Sequence, residues 1–89
     1  MKAVVSVIGK DQEGILALIA GECANAKANI LDVSQTLIED MFTMTMVIAI
    51  DKMNVSLPEF SDRMASLGKE KSLVIKVMHQ DIFDAMHKI

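Results

Sequence analysis

Tryptophan and tyrosine are absent from this 89-residue chain, and phenylalanine occurs only three times. A surface that stacks nucleobases needs aromatic faces, and these three residues form no such pattern. Basic residues are also scarce. Nine Lys and Arg against twelve Asp and Glu leave a net charge of −3, which argues against direct nucleic-acid binding. Cys23 is the only cysteine, so an intrachain disulfide and a CxxC metal or redox pair are both excluded. One proline and four glycines are too few for a flexible linker or a low-complexity tract. No stretch approaches the roughly 20 apolar residues that a membrane-spanning helix requires. The start, Lys2 followed by Ala3 to Ile8, is too short for a signal peptide and lacks a small-residue cleavage site. A cytoplasmic protein without membrane attachment is therefore expected.

What the chain does contain is apolar: 52% of its residues are hydrophobic. Its length suits one domain with a single core, read here as residues 1–80 with a tail helix over 81–89. The apolar fraction is high for so small a core, which suggests that part of the surface is covered by a second copy.

Taken in order, Lys2 to Ile8 reads as a strand, with Ala3, Val5 and Val7 on one face. A helix follows over about residues 12–27, its buried stripe formed by Ile15, Leu18, Ile19, Cys23 and Ala26. Gly21 inside it suggests close packing against a sheet. A second strand runs from Ile30 to Ile38, with Leu31, Val33 and Leu37 alternating with Asp32, Ser34 and Thr36. Glu39-Asp40-Met41 turns the chain into a third strand, Phe42 to Ile50, which has the cleanest alternation of all. Ser56-Leu57-Pro58-Glu59 is a helix start, with a serine cap, a glutamate three residues on, and a Val55–Phe60 staple. Leu57, Phe60, Met64 and Leu67 make its stripe, and Gly68 is its expected C-cap. Leu73 to His79 is a fourth strand. Asp81 then caps a short amphipathic helix that is too short to stand alone in water.

The order β-α-β-β-α-β, with right-handed crossovers, predicts an α+β ferredoxin-like sandwich. Its antiparallel four-stranded sheet has the order 4-1-3-2, both helices on one face, and the C-terminal helix added. The second strand becomes an exposed edge, and pairing with its own copy would cover it.

The stretch with the most chemistry is the first strand-to-helix turn, Gly9-Lys10-Asp11-Gln12-Glu13-Gly14-Ile15. Gly9 frees the backbone at the turn, Gly14 admits close approach, and Asp11 is positioned to cap the helix. The amides that follow could hold a small anion, or the turn could be purely structural. No catalytic set emerges. Cys23 lacks a basic partner in the pattern, and His79, Asp81, Asp84 and His87 do not share a metal-ligand face. No cofactor is expected.

This turn after a first strand, together with Asn29-Ile30 opening the second, resembles the ACT domain, a small-molecule regulatory module. The resemblance spans residues 1 to about 80, and with the tail Ile82–Ile89 the chain is similar to short free-standing bacterial ACT proteins. It implies a homodimer paired edge to edge through the second strands, with a ligand, an amino acid, at the interface. Gly9, Lys10, Asp11, Gln12, Glu13, Gly14 and Ile15 of one subunit would face Asn29 and Ile30 of the other. Backbone amides after Asp11 would take the ligand carboxylate, and Asp11 or the neighbouring Asn29 the amine. The function expected is that of a non-enzymatic sensor acting on a separate protein partner. The alternative is a protein-interaction adaptor with a vestigial ligand site, suggested by the eight methionines and the apolar tail.

Overall fold

The computed structural model describes residues 1–86. Its elements are β1 (Lys2–Lys10), α1 (Ile15–Asn25), β2 (Asn29–Ile38), β3 (Met41–Ala49), α2 (Leu57–Lys71), β4 (Leu73–His79) and α3 (Gln80–Met86). One sheet holds all four strands in the order β2-β3-β1-β4, every neighbouring pair antiparallel. This is the expected ferredoxin-like topology with a C-terminal helix. The end of the expected tail helix, from His87 onward, lies outside the described residues.

Period-two patterning builds the core. Ala3, Val5 and Val7 of β1 and Met44, Met46 and Ile48 of β3 are fully buried, as is Ile19 of α1 and Phe60 and Met64 of α2. All belong to one cluster, so both long helices cover the same face of the sheet. Each such large side chain contributes roughly 1.5–3 kcal/mol on burial. Val4 points to the opposite face, yet it is also buried, apart from the main cluster. Helix α3 packs against β1 and β4, which is how a two-turn helix is held.

Several local expectations are corrected. Helix α1 begins at Ile15, not at residue 12, because its N-cap is Gly14 in the left-handed conformation (φ 79°) with no side-chain cap. Its end is a Schellman motif at Lys27 (φ 60°): the Ala28 amide donates to the Cys23 carbonyl and the Lys27 amide to the Ala24 carbonyl. Gly9 does not turn the chain, since β1 continues to Lys10. A Cβ there would lie 2.6 Å from Leu73 Cδ2, so this glycine admits β4. Gly14 is the reverse case, with open space around it and a backbone that requires it. Gly21 packs against nothing.

Helix α2 starts as read, the Ser56 Oγ accepting the Glu59 amide at 3.2 Å. It does not stop at Gly68. It runs to Lys71 with Ser72 left-handed, and Gly68 is buried where a Cβ would meet the Leu73 carbonyl oxygen at 2.6 Å. In α3 the first residue is Gln80, and the Asp81 amide donates to His79 Nδ1, so His79 caps the helix in place of Asp81. The turn between β2 and β3 is two residues, Glu39 and Asp40, because Met41 already pairs with Ile38.

Strand β2 differs most from its expected alternation. A bulge at Leu31, between Ile30 and Asp32, breaks the phase. Leu31 and Leu37 are exposed, and only Ile30 and Val33 pack against the core.

Candidate functional site

The first turn is built from the end of β1 and is anchored on two sides. The Asp11 amide donates to the Asp40 carbonyl at 2.8 Å, joining it to the β2–β3 turn. Gln12 Nε2 donates to the Lys71 carbonyl at 2.9 Å, joining it to the junction of α2 and β4. Lys10, Asp11, Gln12 and Glu13 are exposed, while Ile15 is buried beneath them. Two sequence expectations change here. Asp11 caps no helix, so its carboxylate is left to solvent or to a ligand, and the Gln12 carboxamide is occupied by the scaffold.

Asn29 and Ile30 lie at the other end of the sheet. Gly9 pairs with Phe42 and Lys2 with Ala49, and Asn29 pairs with Ala49 from the opposite side. Seven residue steps along β3, from Phe42 to Ala49, separate the two positions, roughly 23 Å at the rise of a strand. Within one subunit, the turn and the Asn29-Ile30 pair do not meet.

Each end instead carries its own shallow cleft. At the first turn, Asp11, Gln35, Thr36, Leu37 and Phe42 line a cavity of about 210 Å³. At the start of β2, Lys27, Asn29, Ala49, Asp51 and Lys52 line one of about 320 Å³. The wall of the second is fixed by Asn54, whose amide donates to the Ala26 carbonyl and whose side chain donates to that of Asn25, both at 3.0 Å. The Met1 ammonium contacts both Asp51 oxygens, at 2.7 and 2.8 Å, and this hydrogen bond holds the Asp51 carboxyl below its ordinary range. Among the described residues, Lys27 and Lys52 have no ion pair. Sequence reasoning missed Lys27, Lys52, Gln35 and Thr36, because strand pairing, not spacing along the chain, brings them to these clefts.

The remaining chemistry is sparse. Cys23 is fully buried with Sγ 3.9 Å from Met46 Sδ, and burial, helped by Glu22, pushes its thiol up to about 11. Such a thiol is protonated at neutral pH and is a poor nucleophile. Among the described residues no buried polar or charged side chain occurs, and no cluster of His, Cys, Asp and Glu is placed to hold a metal. No helix of the described residues is long and apolar enough to cross a membrane.

Comparison with known proteins gives one consistent answer. A sequence model of the ACT domain matches residues 2–77. A UPF0237 protein of Corynebacterium diphtheriae is 39% identical over 89 residues, covering all of both chains. An ACT domain protein from Streptococcus pneumoniae superposes with a TM-score of 0.82 at 32% identity, over 94% of each chain. A formyltetrahydrofolate deformylase from Pseudomonas syringae shares the fold, with a TM-score of 0.79 at 20% identity, over 88% of this chain and 27% of that one.

Proposed function

Because this chain belongs to the ACT domain family, we propose that it is a non-enzymatic regulatory module that binds a small molecule, an amino acid, between two copies of itself. The observation that carries the proposal is the pair of shallow clefts at the two ends of an exposed edge strand. Two-fold pairing of β2 with its own copy runs the strands antiparallel. The Asp11 cleft of one subunit then abuts the Asn29 cleft of the other, and two half-sites become one enclosed site. The edge supports such pairing: Leu31, Leu37, Ile38 and Met41 are large apolar residues left 46–68% exposed. Asp11 offers a free carboxylate to the ligand amine, and Lys27, Asn29 and Lys52 of the partner subunit offer donors to its carboxylate. This assignment gives the carboxylate to the Asn29 side, whereas the family resemblance implies the amides after Asp11. The ligand acts by favouring the paired geometry, and a separate protein reads that geometry.

Thermal unfolding against a panel of amino acids tests the proposal. A ligand at 100 times its Kd adds about 2.7 kcal/mol, a shift of order 10 °C in a domain this size. One amino acid should produce it, and both Asp11→Ala and Asn29→Ala should abolish it. Since neither side chain supports the fold, the variants should unfold like the parent without ligand. A panel with no shift rejects the sensor. The adaptor reading would then lead, favoured by the exposed Ile82 and Met86 of α3.

A further inference from the structure

The two ends of the β2 edge carry opposite charge. Around the start of the strand stand the Met1 ammonium, Lys2, Lys27 and Lys52, with Asp51 the one carboxylate among them, already engaged by Met1. Around its far end stand Asp11, Glu13, Glu39 and Asp40, with Lys10 and, behind Gln12, Lys71 as the cations. β2 itself holds a single charged residue, Asp32, which pairs with Val47 two rungs from the Asn29–Ala49 pair and whose carboxylate accepts the Val33 amide. Ten residues separate these poles by about 30 Å, well beyond the Debye length of about 8 Å at physiological salt, so each end acts as a separate field.

The backbone adds a second observation. Lys27 (φ 60°) and Glu39 (φ 57°) both sit in the left-handed region, where glycine or asparagine would be less strained. At each pole a charged residue is thus held in a conformation that disfavours it, with opposite signs at the two poles. Lys27, Lys52, Glu39 and Asp40 are all exposed and make no side-chain ion pair among the described residues.

We propose that these poles are a self-complementary electrostatic code that fixes the partner of the β2 edge as a second copy of this chain in antiparallel orientation. This rests on the paired-edge reading above and specifies what selects the pair. In the antiparallel dimer Lys27 and Lys52 face Glu39 and Asp40 of the partner subunit at both ends of the seam. Parallel pairing of the same two edges sets like charges together at both ends. Edge strands that lack this polarity are excluded in the same way.

A charge swap tests it. The double variant Lys27→Glu/Lys52→Glu makes both poles acidic, and Glu39→Lys/Asp40→Lys makes both basic. Each should dimerise at least tenfold more weakly than the parent at low salt, and an equimolar mixture should recover a heterodimer, because both of its seams are again complementary. Light scattering after gel filtration reads all three samples, and recovery in the mixture shows that each variant is folded. If either variant alone dimerises like the parent, or the mixture stays monomeric while both variants keep the parental circular dichroism, the code is wrong although the dimer stands. A monomeric parent at every concentration overturns the dimer itself.

Discussion

Gly14 and Gly21 are both exposed with open space beside them, yet alanine should move stability in opposite directions at the two sites. At Gly14 the left-handed backbone would place a Cβ against the following carbonyl, a loss of about 1–2 kcal/mol. Gly21 is an ordinary helical residue, and Gly21→Ala should gain about 0.5–1 kcal/mol by restricting the unfolded chain. Urea denaturation of the two variants checks this pair, and equal signs would contradict it. Cys23 supplies a pH test. In the unfolded chain the thiol ionises near 9.0, but in the folded core only near 11. The folded state therefore holds its proton where the unfolded state has lost it, and stability falls as pH rises from about 9 to 11. Melting temperatures over that range should drop more steeply in the parent than in Cys23→Ala. The residue scale is also where the sequence misleads most readily. A glycine that admits a neighbouring strand (Gly9), one that permits a positive φ (Gly14) and one that does neither (Gly21) look alike in a linear pattern.

At the scale of elements, the two ends of α2 should answer differently to alanine. Ser56→Ala removes the acceptor for the Glu59 amide and should cost about 1 kcal/mol, a local effect at an exposed helix start. Gly68→Ala would push a methyl group onto the Leu73 carbonyl oxygen, backbone that cannot swing aside, and should cost about 1–3 kcal/mol. The larger effect is expected at the glycine that sequence reading assigned to the helix end. That contrast explains which elements were legible. The boundaries of β4 and the start of α2 depend on near neighbours: a serine, a proline, an apolar alternation. The same is true of β3, where Phe42, Met44, Met46 and Ile48 are buried as their spacing requires. The length of α2 and the phase of β2 depend on contacts made across the fold. No local pattern announces that Gly68 must pass beneath β4, or that a bulge at Leu31 will shift the strand's inward positions.

For the whole molecule, the decisive property is that Asp11 and Asn29 cannot share a ligand within one subunit. The sequence named both residues, but the lysines of the second cleft came into view only with the sheet, since Lys52 reaches Asn29 through the pairing of β2 with β3. If the site is shared between subunits, ligand binding and dimerisation are linked, and the linkage is reciprocal. Ligand must tighten the dimer by the same factor by which dimerisation tightens the ligand. Ligand affinity should therefore depend on protein concentration. Above the dimer dissociation constant the apparent Kd is that of the completed site. Tenfold or more below it, most subunits are single, and the apparent Kd should weaken in proportion to the fraction of competent dimer. Titrations at two protein concentrations bracketing the dimer transition measure this directly. The same titrations on the Glu39→Lys/Asp40→Lys variant should show weak binding even at the higher concentration, although Asp11 and Asn29 are intact. An affinity unchanged across the transition would locate the ligand inside one subunit, and the two clefts would then be independent sites.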